Sequence, residues 1–268
     1  MRIRRIIKMT KTALITGATG GLGKEFVKLF ADNGNNLVII GRNSKKLADL
    51  KKDVESKYSV KVDTIAVDFS DETAAEQIFE QVKNRDIQID YLVNNAGLGG
   101  QGTFVDRTME QDISMMRVNM LVPTKLMKLF IPELVKKGSG RVLNVSSSAA
   151  LIPGPLQAEY YATKAYVTSL SNAIAYEVKD TGVTVTTLIP GAIDTGFARA
   201  GGLTQTKMFS HGANPTDVAK EGYTGMMLGK LNVFAGLSPV QRPFVSLMPL
   251  MPKKAIMGFV ANQQSNSK

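Results

Sequence analysis

The chain has 268 residues, 44% hydrophobic and 21% charged, with no cysteine, a balance that suits one large α/β domain. The lack of thiols excludes disulfides, zinc–thiolate sites and a cysteine nucleophile, and it fits a cytoplasmic setting. The net charge of +10 lies at the two ends: residues 1–11 hold five basic groups and no acid, residues 205–268 seven against two, and 12–204 balance at 21 each. That distribution argues against a basic nucleic-acid-binding stripe and leaves, at most, a peripheral membrane contact.

In chain order, residues 1–9 read as a basic arm, or as a start upstream of the domain, since "TKTALITGA" after Met9 already opens a fold. A first strand is expected over 12–16. It runs into "TGATGGLG", residues 16–23, and then a helix with Leu22, Phe26, Leu29 and Phe30 at helical spacing. Glycine permits positive φ and close backbone approach, and the free N–H groups of a helix start suit a pyrophosphate. Strand 36–40 ends at Gly41 and Arg42. A site for NAD(H) wants an acid there for the ribose 2′-OH; a guanidinium instead suits the 2′-phosphate of NADP(H). A helix with Leu47, Leu50 and Val54 follows, then strand 62–67, closed by Asp68, a candidate for the adenine amine.

Ala75, Ile78, Phe79 and Val82 mark a third helix. Strand 90–94 ends in "NNAG", where small residues let the backbone lie near a ribose. Strand 141–146 leads into "SSSAA". The stretch "AEYYATKAYVTSLSNAIAYEV" reads as a helix with Ala165, Leu170, Ala173 and Ile174 inward. Lys164 lies four residues after Tyr160 and three after Tyr161, so helical geometry alone admits either tyrosine as its partner. Strand 183–189 follows. The strands are short, rich in Val, Ile and Leu, and mostly not alternating, as in a sheet buried on both faces. The alternation predicts a single Rossmann-type domain over 10–268, a doubly wound parallel sheet of about seven strands.

No run reaches the ~18–20 apolar residues of a membrane span. His211, in "MFSHGANP", reads as a surface residue, and no metal site is expected. The apolar stretch 236–261 is open to three readings: a lid, a subunit contact or a membrane patch. The tail "NQQSNSK", residues 262–268, is expected to fray.

The order of these pieces resembles the short-chain dehydrogenase/reductase family. Thr16-Gly17, Gly21-Leu22-Gly23, Asn94-Asn95-Ala96-Gly97, Asn119, Ser147, Tyr160, Lys164 and Pro190-Gly191 fall in that family's sequence order, from about residue 10 to 200. Ser147 lies 13 residues before Tyr160, the family's spacing, which favours Tyr160 over Tyr161. "YYATKAYV" and "PGAIDTGF" look most like bacterial stand-alone reductases.

The resemblance implies hydride transfer between NADP(H) and a carbonyl or alcohol. Tyr160 would be the acid, Ser147 the carbonyl's hydrogen-bond donor, Lys164 the cation that lowers the phenol's pKa and holds the ribose, and Asn119 the holder of a relay water. Cofactor contacts would fall on Thr16, Gly17, Thr19, Gly20, Gly21, Leu22, Gly23, Arg42, Asp68, Phe69, Asn95, Ala96, Gly97, Tyr160, Lys164, Pro190, Gly191, Ile193 and Thr195. Substrate would lie against 98–104, 150–158 and 193–212, with 193–261 as a lid. The scarcity of charges in the pocket segments suggests a hydrophobic ketone or aldehyde. The family's habit also implies a homodimer or homotetramer. Two rival classes are a cofactor-binding regulator without turnover and a basic nucleic-acid binder.

Overall fold

The computed structural model describes residues 10–204, 206, 212–238 and 241–265. The arm at 1–9 and His211 lie outside the described residues, as do residues 205, 207–210, 239–240 and 266–268. Seven strands form one sheet: β1 (Thr12–Thr16), β2 (Asn36–Gly41), β3 (Val62–Ala66), β4 (Tyr91–Asn94), β5 (Gly140–Val145), β6 (Val183–Pro190) and β7 (Asn232–Ala235). All neighbours pair in parallel, in the order β3-β2-β1-β4-β5-β6-β7. The six strands read from the sequence are present, with ends within one residue. The seventh, "NVFA", is short and lies at the sheet edge.

The strands are rich in Val, Ile and Leu because each face meets a separate layer of helices. Leu14, Val38, Ile40, Ile65, Leu92 and Val142 pack with α3 (Ala74–Asn84) and α5 (Val122–Lys137). Their neighbours Ala13, Ile15, Leu37, Ile39, Val93 and Leu143 pack with α1 (Gly21–Asp32), α2 (Ser44–Lys57) and α8 (Pro215–Met227). Successive residues thus point into two cores, as the two-residue period of a strand requires.

Helix α4 (Met109–Met116) opens with a capping box, in which Thr108 and Gln111 bond reciprocally. A single π-turn, Arg117–Leu121, joins it to α5. The longest helix, α6 (Ala158–Glu177), buries Tyr161, Thr163, Lys164, Val167 and Ser171. Of the face expected inward, Leu170 and Ile174 are half-buried and pack against the core shared with α3 and α5; Ala165 is half-buried, and Ala173 is exposed, which corrects that position.

After the short α7 (Gly196–Ala200), the chain ends in α9 (Gln241–Leu247) and α10 (Lys253–Gln264). The expected fraying at 262–268 is wrong for its first three residues. Asn262, Gln263 and Gln264 complete α10, and Gln264 is fully buried. Ile256 and Val260 pack with Ala149 and Tyr161, while Phe244, Leu247, Leu250 and Phe259 stay exposed. Among the described residues no helix is long and apolar enough to cross a membrane.

Candidate active site

The strand order reverses at β1, which has β2 on one side and β4 on the other. In such sheets the loops at the carboxyl ends of the two strands diverge and leave a crevice. Here those loops are 17–20 and 95–97, and a cross-brace ties them together. The Thr16 hydroxyl accepts hydrogen bonds from the Asn95 N–H (2.9 Å) and the Ala96 N–H (3.0 Å). The Asn95 amide donates to the Thr16 carbonyl (2.9 Å) and the Gly17 carbonyl (3.3 Å). Thr16 and Asn95, expected as cofactor contacts, therefore spend these side-chain groups holding the crevice in shape.

The glycines have distinct duties. Gly17 adopts φ +63°, the left-handed region that an L side chain resists. At Gly23 a Cβ would lie 2.2 Å from the Gly17 carbonyl oxygen, so only glycine lets α1 start this close to the loop. Gly20 caps α1 with no side-chain hydrogen bond, and the first turn carries no acid. The N–H groups at that helix start are left facing the exposed Gly20–Gly21 surface, which suits an anionic phosphate. A Cβ on Gly21 would come 2.7 Å from the Thr195 side chain, so the segment after β6 closes against the same loop. Thr195 also caps α7, its hydroxyl accepting from the Phe197 N–H at 3.3 Å. Pro190 is buried at the end of β6, the Gly191 N–H donates to Ala235, and Ile193 bridges to Ala213.

Arg42 is exposed at the end of β2, facing Asp68, whose carboxyl it helps hold below the usual range. The main causes of that lowering are the Ser70 N–H and then the Ser70 hydroxyl, both 2.9 Å from one Asp68 oxygen. Thr19 sits 3.5 Å from the position a Cβ on Gly41 would take, beside Arg42. The Leu22 and Phe69 side chains are buried in the two cores, so a cofactor contact there would fall to their backbone. The donor set as a whole fits a dinucleotide: free N–H groups for phosphate, a guanidinium near a ribose position, and small residues at Ala96 and Gly97.

The reacting groups converge beyond Gly97. A Cβ on Gly97 would lie 3.5 Å from both the Lys164 Nζ and the Asn119 Oδ1. Lys164 is buried, donates to the Val145 carbonyl at 2.9 Å, and stands 5.7 Å from the centre of the Tyr160 ring. Burial pulls its ammonium down to about 8. Burial of the Tyr160 hydroxyl pushes that phenol up to about 12, and an interaction with the Ser147 side chain acts in the opposite sense.

Ser147 also caps a 3-10 turn, accepting from the Ala149 N–H at 3.1 Å. Its own O–H remains a donor. Asn119 lies in the π-turn, fully buried. Its amide oxygen accepts from the Leu98 N–H (2.8 Å), and its nitrogen donates to the Leu98 carbonyl (2.9 Å) and the Thr163 hydroxyl (3.1 Å). One oxygen lone pair is left for a water beside Gly97.

The two tyrosines have different surroundings. Tyr160 stacks against Phe197 at 5.7 Å and Tyr161 is buried. A cavity of about 320 Å³ adjoins Phe197, lined by Leu98–Gln101, Arg107, Gln111, Ser114, Met115, Ala200 and Gly201. Of its polar members Gln101 lies in the expected segment 98–104, whereas Arg107, Gln111 and Ser114 were not foreseen, and Phe104, expected in the pocket, is exposed. A larger cavity of about 450 Å³ lies by the start of β4, between α3 and α5, at the opposite end of the sheet from the crevice. Among the described residues no cluster of His, Cys, Asp or Glu is placed to hold a metal ion.

Sequence reasoning missed the polar supports. Thr163 holds Asn119, and Asn144 links Asn94 (2.8 Å) to Ser171 (2.8 Å) under the site. Gln157 and Gln264 meet across 107 positions. A polar residue on a helix reads as surface unless its partner is known, so none of these had a sequence signal.

The family model described as short chain dehydrogenase matches residues 11–205. The human very-long-chain 3-oxoacyl-CoA reductase is 32% identical over 193 residues, 70% of this chain and 61% of that protein. The chain thus spans about six tenths of the length of the curated relatives it matches. Among solved structures, a short-chain dehydrogenase from Sphingobium yanoikuyae in complex with NADPH superposes with TM-score 0.81 at 24% identity, covering 96% of this chain and 98% of the other. The 3-ketoacyl-(acyl-carrier-protein) reductase of Brucella melitensis, complexed with NADH, gives 0.74 at 26%, covering 84% and 97%.

Proposed function

The chain belongs to the short-chain dehydrogenase family, and from that premise we propose that it is an oxidoreductase moving hydride between NADP(H) and a carbonyl or alcohol, acting as a reductase of a ketone or aldehyde with an apolar body. The observation that carries this reading is the convergence of Ser147, Tyr160 and Lys164 at the crevice mouth, next to a glycine loop and an uncapped helix start.

Hydride to the carbonyl carbon is what a bound dihydronicotinamide supplies. The rest falls to the chain. The Ser147 O–H, which faces the Tyr160 oxygen while its own oxygen accepts from the Ala149 N–H, donates instead to the carbonyl oxygen and stabilises the charge developing there. The Tyr160 hydroxyl gives its proton to that oxygen. The Lys164 ammonium faces the phenolate left behind and offsets its charge. Asn119 and Lys164, both within 3.5 Å of one point beside Gly97, hold the water through which the phenol regains a proton. The glycine loop and the α1 start take the pyrophosphate, and Arg42 takes the 2′-phosphate.

The preference for NADP(H) rests on Arg42 and on the absence of an acid beside it at the end of β2. The apolar body of the substrate is supported by the Phe197 ring against Tyr160 and by the very-long-chain 3-oxoacyl-CoA named for the human relative; in the adjoining cavity Leu98 and Met115 stand beside the polar Gln101, Arg107, Gln111 and Ser114. The apolar segment around α9 and α10 serves as the lid. Leu121 and Tyr166, exposed near the junction of α5 and α6, mark the face through which copies associate into a dimer or tetramer.

The test is NADPH oxidation with a panel of ketones and aldehydes, by the wild type, Tyr160→Phe and Tyr161→Phe. Tyr160→Phe is expected to lose about 10²–10⁴ in kcat, while Tyr161→Phe keeps turnover within about tenfold, the cost of one hydrogen bond. Turnover surviving in Tyr160→Phe and lost in a folded Tyr161→Phe would reverse the assignment.

A further inference from the structure

Gln264, the last residue of α10, is fully buried. A primary amide with no exposure is costly unless all its groups are bonded, and here the bonds reach three separate segments. Its Nε2 donates to the Tyr161 hydroxyl at 3.1 Å. Its Oε1 accepts from the Gln157 Nε2. Its backbone carbonyl accepts from the Gln101 Nε2 at 2.6 Å. Gln157, itself buried, is the residue from which α6 starts, and Gln101 lies in the loop after β4 that lines the cavity.

Tyr161 is the centre of this assembly. The Gly154 backbone lies flat on its ring, where a Cβ would come within 2.3 Å. Ile256 and Val260 of α10 share its apolar cluster, and Tyr160 meets it edge to face at 6.2 Å. The residue beside the reacting phenol is therefore held on its far side by α10.

We propose that Gln264 is a positioning residue of the active site. By bonding at once to Tyr161, Gln157 and Gln101 it locks α10 onto the two loops that wall the space over Tyr160. The inference rests on the reading of Tyr160 as the proton donor. Glutamine suits the place because it both donates, to the phenol oxygen, and accepts, from the second amide; no apolar or singly functional side chain does both. Loosening it frees the 98–104 and 152–158 loops and widens the range of orientations of the Tyr160 hydroxyl, without touching the glycine loop.

The experiment uses the full chain with Gln264→Leu, with Tyr161→Phe as a milder variant that removes only the phenol's hydroxyl, and with Tyr160→Phe as control. Gln264→Leu is expected to lower kcat/KM about tenfold or more, the loss that accompanies one or two buried hydrogen bonds, with the NADPH Kd unchanged. Tyr161→Phe should lower it less, and the two changes together should cost less than the product of their separate effects, because they break the same bond. Amide exchange in the unliganded protein should quicken over 98–104 and 152–158 in Gln264→Leu, with 13–23 unaffected.

Unchanged kcat and KM, unchanged exchange in both loops, or loss of NADPH binding in step with activity would each overturn the proposal, the last by making Gln264 a global support. Full turnover in Tyr160→Phe would instead remove the reading of the site. The exchange result judges the lock in either case.

Discussion

Lys164 is required by the proposed chemistry and disfavoured by the fold, and the size of that conflict can be worked out. Its ammonium is buried with a hydrogen bond to the Val145 carbonyl, and burial brings its pKa from 10.5 to about 8. A difference of that size corresponds to about 3 kcal/mol of folding stability forgone at neutral pH. Lys164→Met keeps the aliphatic stem and removes the charge, but leaves the Val145 carbonyl without this donor, which costs about 1–2 kcal/mol. The variant should therefore be more stable by about 1–2 kcal/mol at pH 7, which in a chain of this size raises Tm by about 3–6 °C.

The sign of the pH dependence follows. Below pH 8 both folded and unfolded lysine carry the proton, and the penalty is constant. Between about 8 and 10.5 the unfolded chain holds more protons than the folded one, so wild-type stability rises relative to the variant. The assay is a pair of thermal melts at pH 7 and pH 10 in cofactor-free protein, since bound ligand would add its own stabilisation. The variant's advantage should have vanished by pH 10. A variant less stable than wild type at pH 7, or a difference that does not narrow, refutes the reasoning. Turnover should be lost at every pH.

Reductase activity of the wild type should fall as pH rises through about 8, because Lys164 loses its charge there while Tyr160, pushed up to about 12, keeps its proton; a rate flat to pH 10 in an initial-rate profile contradicts this. Arg42→Ala should weaken NADPH about 10–100-fold, the value of one charge-assisted contact, and leave NADH within about twofold in a fluorescence titration; equal losses for both would assign Arg42 another task. Gly23→Ala should abolish binding of both dinucleotides and lower Tm, since the new methyl meets the Gly17 carbonyl at 2.2 Å and such overpacking costs about 1–3 kcal/mol; unaltered binding by calorimetry would exclude the proposed cradle.

The sheet was legible because most strands are rich in Val, Ile and Leu and several are followed by glycine or a small polar residue, as at Thr16-Gly17 and Asn94-Asn95. β7 carries only four residues and sits at an edge, where the apolar signal is weakest. The site was legible where one local segment carries it: the glycine loop, Tyr160 with Lys164. It was illegible where a polar side chain is buried for the sake of a distant partner. α6 shows why. Hydrophobic periodicity pointed to Ala165 and Ala173, while the fold turns inward Thr163 for Asn119, Lys164 for Val145 and Ser171 for Asn144. The ring of Phe69 and the side chain of Leu22 show the converse: a residue within a candidate binding loop can still turn its side chain into the core.

The two cores on opposite faces of the sheet do not share a single helix. Phe26, Leu47 and Val218 support the side from which the glycine loop and Arg42 emerge; Phe130, Leu134 and Val178 support the side that carries α5 and α6. Substitutions in one layer therefore reach one half of the crevice first, with the sheet standing between them as a partition. A library confined to the helices of one face is therefore expected to perturb first the loops that rest on that face.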